Sequence, residues 1–367
     1  MTNIDFRTQP MFFGAEPNIL RDDTTKYKVF NDYYEKMQGF FWRPQEIDLQ
    51  LDRSDFASLP EGAKHLFTNN LRYQILLDSI QGRGPAHAFM AATSLPEIEA
   101  CCAVWAQQEV NHSKSYQWMI KNIFHDPSII FDDIVEHTEI QKRAKSVVAA
   151  YDDYIQDQSK YEAGLYVDRF QSMKKLYKAL IAVNILEGVR FYVSFACSFG
   201  INESLKKMGG SANILRLICR DENVHLGITQ NMISIINRGK EGEEWLQVAE
   251  ECQKDAVGMY IEAVDQEKAW ADYLFQEGSI IGLNAAMLQQ YVEYIANHRM
   301  KAIRLPAEWT KAKKCLHWMD DWISSGKLQE APQETEKTAY IIGFNPSVKE
   351  DFWSSTRMSP SGLIHLP

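Results

Sequence analysis

Two Glu-x-x-His pairs, Glu109-Val110-Asn111-His112 and Glu222-Asn223-Val224-His225, each lie on a helical stripe that is otherwise apolar. In an α-helix, residues three apart are surface neighbours, so each pair offers a carboxylate and an imidazole from one rigid face. Around the first pair, Ile98, Cys102, Trp105, Glu109, His112, Tyr116, Met119 and Ile123 step by three or four. Around the second, Ile214, Ile218, Glu222, His225, Ile228 or Thr229, and Met232 do the same. Both stripes read as core-facing, where an ionisable group is costly unless it is compensated. The chain must therefore fold so that charged spots of two helices share an interior, and coordination of metal ions is the simplest compensation. Spacing alone does not establish this, because 27 glutamates and 9 histidines in 367 residues place about 0.7 such pairs by chance. The apolar flanks carry the argument.

Two glutamates and two histidines leave two ions undercoordinated, and acidic residues stranded in other apolar segments complete the set. Asp78 sits in Ile75-Leu76-Leu77-Asp78-Ser79-Ile80, and Glu187 in Val183-Asn184-Ile185-Leu186-Glu187-Gly188-Val189. Four carboxylates and two neutral imidazoles balance two divalent ions. A carboxylate-rich N/O donor set without thiolate favours iron or manganese over structural zinc, and the His-Glu-x-x-His of zinc proteases is absent. Tyr116 falls four residues after His112 on the same face. It is either an oxidisable group beside a metal or a core tyrosine with its hydroxyl satisfied. Phe191, Phe195 and Ile218, on the faces that carry Glu187 and Glu222, are either a dry wall around a radical or ordinary core.

Helical periodicity dominates the chain, so an all-α class is expected, with helices over about 26–39, 60–82, 96–124, 136–160, 170–200, 211–238, 241–276 and 284–303. Ser94-Leu95-Pro96-Glu97 reads as a helix start with Ser94 as N-cap, and Gly209-Gly210-Ser211 as a break between helices. The most apolar stretch, 176–201, is interrupted by Lys178, Glu187 and Arg190 and reads as a buried core helix. A net charge of −10 gives no footprint for nucleic acid or an anionic membrane, so neither is an expected partner. Six cysteines without Cys-x-x-Cys suit reduced thiols, and the N-terminus shows no secretory signal; a cytoplasmic location is expected. The expected organisation is an N-terminal arm over 1–25, a helical domain over 26–325, and a flexible tail over 326–367. That tail carries Tyr340-Ile341-Ile342-Gly343-Phe344 and Phe352-Trp353, which read either as a docking peptide or as a disordered end with incidental aromatics.

One carboxylate from each of two helices and Glu-x-x-His from each of two others is the ligand pattern known for ferritin-like dimetal bundles, and the chain resembles it. The resemblance sharpens with Pro10-Met11-Phe12-Phe13-Gly14, Phe40-Phe41-Trp42-Arg43-Pro44, Leu77-Asp78-Ser79-Ile80-Gln81-Gly82-Arg83, Glu187-Gly188-Val189-Arg190-Phe191-Tyr192, Arg220-Asp221-Glu222 and Gln289-Gln290-Tyr291-Val292-Glu293-Tyr294. Over residues 10–345 the chain resembles the small, radical-bearing subunit of class I ribonucleotide reductase of the aerobic bacterial and phage type.

That resemblance implies two iron ions per chain: Asp78, Glu109 and His112 on one, Glu187, Glu222 and His225 on the other. A manganese-containing variant is not separated from iron by the ligands. It implies that O2 reacts with the diferrous cluster, leaving a diiron-oxo centre and a stable radical on Tyr116. It further implies radical transfer through Trp42, Asp221 and Tyr340, with Asp221 hydrogen-bonded to His112 and Trp42, and Glu334 assisting proton movement near Tyr340. The implied partner is a separate large catalytic subunit that reduces ribonucleotides to deoxyribonucleotides, and the implied assembly is a homodimer. Taken alone, Trp42 reads as a core aromatic and Asp221 as a solvated helix residue. The chain departs from the family at Trp105-Ala106-Gln107-Gln108-Glu109, which is more polar than in many relatives, at Cys101-Cys102, and after Trp353, where Ser354-Ser355-Thr356-Arg357 replaces the usual acidic and apolar ending. Two other classes use such ligands: an iron-storage protein, against which the chain length, the Asp ligand and Tyr116 speak, and a dimetal oxidase or oxygenase with its own substrate channel.

Overall fold

Polar helix starts and apolar stripes build the architecture. In a computed structural model that describes residues 4–17, 19–20, 23–82 and 84–323, twelve α-helices follow one another. They are α1 (Lys28–Gly39), α2 (Gln50–Ala57), α3 (Glu61–Gln81), α4 (Pro96–Ile123), α5 (Pro127–Glu136), α6 (Thr138–Glu162), α7 (Arg169–Ile185), α8 (Phe191–Leu205), α9 (Gly209–Asn237), α10 (Glu243–Leu274), α11 (Ala285–Ala302) and α12 (Met319–Ile323). No strand occurs among the described residues; the pairings Phe12 with Thr93 and Ile280 with Leu283 are isolated bridges. The all-α expectation holds. All eight expected helices are present within a few residues, while the short α2, α5 and α12 were not expected.

Helices α3, α4, α8 and α9 pack on one another, with α7 against α9, and enclose the centre of the molecule. Around them, α1 covers α4, α6 covers α7, and α10 lies across α7 and α11. The segment expected as one core helix is a rod over Arg169–Leu205, with α7 and α8 joined by a π-helical turn, Leu186–Arg190. Its most apolar window is long enough to cross a membrane but is wholly buried inside the fold. A second π-helical turn, Pro85–Met90, follows α3. Single π turns insert one extra residue into a helix and often mark functional positions; here the turn carries Glu187.

Two expected punctuation marks are corrected. Ser94 does not cap α4; Leu95 holds that position, and the Ser94 hydroxyl accepts the Gly14 N–H at 2.5 Å, tying down the N-terminal arm. Glu97 likewise accepts the N–H groups of Lys26 and Tyr27, each at 3.0 Å. Gly209 and Gly210 do not form the break before α9 but its first turn, and the reversal is made by Lys206 and Met208 at φ 54° and 61°. Asp52, buried on α2, caps that first turn by accepting from Gly210 N (3.0 Å), Ser211 N (2.6 Å) and the Ser211 hydroxyl (2.6 Å). A side chain at Gly210 would collide with the Asp48 carbonyl. Residues 326–367, including Glu334, Tyr340, Phe352 and Trp353, lie outside the described residues.

Candidate metal centre

Four helical segments each send a carboxylate or imidazole to one interior point: Asp78 from α3, Glu109 and His112 from α4, Glu187 from the π turn, and Glu222 and His225 from α9. All six are fully buried. Their donor atoms form two groups, Asp78, Glu109, His112 and Glu222 in one and Glu109, Glu187, Glu222 and His225 in the other, with the atoms of each group within 4.8 Å of one another. Glu109 and Glu222 belong to both. His112 Nδ1 lies 3.1 Å from Glu222 Oε1 and 3.6 Å from Glu109 Oε2; His225 Nδ1 lies 2.8 Å from Glu222 Oε2 and 3.2 Å from Glu109 Oε1.

The residues fit a pair of cations. Both oxygens of Asp78, Glu109 Oε2, Glu187 Oε2, Glu222 Oε1 and His112 Nδ1 are buried and lack hydrogen-bond geometry to any neighbour. Buried polar atoms are ordinarily satisfied, so this many orphans converging on one point require a ligand. Electrostatics agree. Burial, then the charges of Glu109 and Glu222, hold Asp78 well above the usual carboxylate range. Burial, then Glu222, does the same to Glu187. Burial also opposes ionisation of Glu222, but the neighbouring Glu187 carboxyl and the positive fields of His225 and His112 prevail and lower it. For His225, burial lowers the pKa, but Glu222 and Glu109 outweigh it and push it up to about 9. In the metal-free protein, protons stand in for the cations.

Neighbouring groups orient the ligands. One Asp221 oxygen, Oδ2, accepts from Trp42 Nε1 at 2.8 Å and faces His112 Nε2 at 3.3 Å, and the other is held by Arg220 at 3.1 and 3.2 Å. Asp221 is therefore fully buried rather than a solvated helix residue. On the far side, Gln81 Nε2 donates to Glu187 Oε1 at 2.7 Å, and Tyr151 donates to Gln81 Oε1 at 2.9 Å. Gln108 Oε1 lies 2.9 Å from His225 Nε2, and Trp105 donates to Glu109 at 2.8 Å while its ring stacks on His225. The roles of Gln81, Gln108, Trp105, Tyr151 and Arg220 were missed from sequence. A glutamine on a core-facing stripe, as Gln108 is, was the available signal.

Tyr116 is fully buried, and its hydroxyl lacks hydrogen-bond geometry to any group. Burial raises the phenol well above its ordinary range, and the adjacent Asp78 carboxylate raises it further. Phe191, Phe195 and Ile218 are fully buried, with the two phenyl rings stacked at 6.1 Å.

Residues 23–315 match the family model described as ribonucleotide reductase, small chain. The chain is 47% identical over 348 residues to the ribonucleoside-diphosphate reductase subunit beta of Haemophilus influenzae, covering 91% of this chain and 92% of that protein. It is 38% identical over 360 residues to the corresponding subunit of Enterobacteria phage T4, covering 92% and 93%. Among solved structures, the ribonucleotide reductase R2 subunit from Clostridium botulinum superposes with a TM-score of 0.76 at 24% identity, covering 86% of this chain and 94% of that one; it attests the fold. The chain belongs to the family of ribonucleotide reductase small chains.

Proposed function

We propose that this chain, as the small subunit of ribonucleoside-diphosphate reductase, uses a dimetal centre to place a stable radical on Tyr116 and delivers it to a large catalytic subunit. The observation that carries this reading is the pair of ligand groups sharing Glu109 and Glu222, with the buried hydroxyl of Tyr116 beside Asp78. Asp78, Glu109 and His112 would hold one ion and Glu187, Glu222 and His225 the other. Iron held there would supply two of the four electrons that O2 takes up, with Tyr116 giving a third as it is oxidised and an external reductant the fourth.

The chain's own residues set the conditions for that storage. Tyr116 is kept as the neutral phenol, so loss of an electron must be accompanied by loss of its proton, and Asp78, where bound metal would keep it ionised, is the carboxylate beside it. Complete burial then shields the oxidised ring from solvent reductants. The outward route begins at His112 and continues through Asp221 to the indole N–H of Trp42, which lies beside the exposed Phe41. A carboxylate between imidazole and indole holds both rings in fixed orientation and stabilises positive charge on either. Tyr340 would carry the last step in this chain, and the tail 326–367 would dock it to the large subunit.

Loading with ferrous iron and O2 should give a tyrosyl radical signal in electron paramagnetic resonance that Tyr116→Phe abolishes. A normal radical yield in that variant refutes the assignment. Tyr340→Phe should keep the radical and abolish turnover with the large subunit; retained turnover refutes the tail route. Metal analysis of protein purified from its own host decides between iron and manganese.

A further inference from the structure

The two histidines are supported in different ways. His112 faces the Asp221 carboxylate, itself neutralised by Arg220, whereas His225 faces the neutral side-chain amide of Gln108. Of the adjacent glutamines, Gln107 is exposed and Gln108 is 5% exposed. The orientation of the Gln108 amide is fixed at its other end, where Nε2 points at the Met37 carbonyl at 3.4 Å. A carbonyl only accepts, so the amide nitrogen belongs there and Oε1 belongs on His225. An amide oxygen also only accepts, so Nε2 of His225 must carry a proton, and Nδ1 is the nitrogen left to face Glu109 and Glu222.

We propose that Gln108 is a positioning residue that fixes the tautomer and ring orientation of His225 and thereby builds the ion position shared with Glu187 and Glu222. The proposal rests on the reading that those three residues hold an ion. A hydrogen bond to the non-ligating imidazole nitrogen sets ring orientation, and losing such a partner typically weakens metal affinity about 10–100-fold. Gln108 belongs to α4, which also supplies Glu109 and His112, so the helix that carries ligands for one ion orients a ligand of the other. The Trp105 ring, stacked at 5.2 Å on His225, restrains tilting of the imidazole but supplies no acceptor to its Nε2.

The test uses the full chain with Mn(II) as probe. Wild type should bind two ions. Gln108→Leu, close in shape and unable to accept, should weaken one of them about 10–100-fold, and anomalous density in Mn(II)-soaked crystals should fall at the His225 position and not at the His112 position. Gln108→Glu retains an acceptor at the same reach and should keep both ions; it also serves if the leucine variant fails to fold. Two ions of unchanged affinity in Gln108→Leu, equal loss at both positions, or loss at the His225 position in Gln108→Glu would overturn the proposal. Fewer than two ions in wild type would instead overturn the underlying dimetal reading.

Discussion

Gly84→Ala should destabilise the chain by about 3 kcal/mol, although Gly84 sits at φ −58° and ψ −54°, where alanine is ordinarily favoured. Alanine in such a helical site stabilises by about 0.4–1 kcal/mol, through the unfolded chain. Here the three atoms nearest to an added methyl all belong to Tyr151: it would fall inside the envelope of the hydroxyl and Cζ and 2.7 Å from Cε1. The ring is buried and cannot simply swing aside. Overpacking of this kind costs about 1–3 kcal/mol. Displacing the Tyr151 hydroxyl also strips Gln81 Oε1 of its 2.9 Å donor, and an unsatisfied buried acceptor costs about 1–3 kcal/mol more. The net is about 1–6 kcal/mol, centred near 3. The cycle partner is Tyr151→Ala, in which the obstruction is gone and Gly84→Ala should change sign, stabilising by about 0.4–1 kcal/mol. Urea denaturation of the four metal-free proteins measures the coupling. Equal destabilisation by Gly84→Ala in both backgrounds, or a neutral effect in the wild-type background, would refute the packing argument.

Other outcomes follow from individual contacts. Arg190→Met leaves Glu267 fully buried without its 2.7 Å guanidinium partner and should cost about 3–5 kcal/mol, which Arg190→Met combined with Glu267→Leu should largely restore in chemical denaturation. Asp52→Ala removes three hydrogen bonds at the start of α9 and should cost about 1–3 kcal/mol in the same assay. Asp221→Asn should leave the Tyr116 radical detectable while lowering turnover with the large subunit about 10–100-fold; unchanged turnover would remove Asp221 from the transfer route. Chelation should lower the melting temperature, since saturation to 100 times the dissociation constant contributes about 2.7 kcal/mol per ion, and a chelator-insensitive melting curve would contradict metal binding at this site.

The ligand helices were legible because burial and charge conflict in their sequences. A carboxylate amid Ile, Leu and Val, as at Asp78 and Glu187, announces itself, and helical spacing places Glu109, His112 and Tyr116 on one face. What stayed hidden has no period. The π turn at Leu186–Arg190 depends on how α7 and α8 pack on α9 and α11, and nothing in Leu-Glu-Gly-Val-Arg distinguishes it from continuous helix. Ser94 looked like a cap by its neighbours but is claimed by Gly14, eighty residues earlier in the chain. The partners of the ligands, Gln81, Gln108 and Tyr151, are neutral side chains whose importance lies in one or two hydrogen bonds each, and pattern reading weighs charge before amides. The glycine Gly84 carries the same lesson, since its need is set by a tyrosine on another helix.

The π turn bears on how the metal-free protein tolerates its own site. Four carboxylates converge where burial raises Asp78 and Glu187, and the two imidazoles are the basic groups grouped with them among the described residues. Within the π turn, the Gly188 carbonyl accepts from Arg299 Nε on α11 at 3.1 Å. Gly188 is itself constrained, because a methyl there would lie 2.8 Å from Leu226 Cδ1 on α9 and 3.1 Å from Arg299 Cγ. Glu187 thus rides on a segment held by α9 and α11 rather than by its own helix alone. Segments whose backbone pairing is weakened open locally at lower free energy than the core around them. Amides of 186–190 should therefore exchange hydrogen faster than those of flanking α7 and α8 in the metal-free chain, and metal binding should slow them selectively by cross-linking Glu187 to α9. Equal protection of the turn and its flanks in both states would mean that packing alone fixes Glu187.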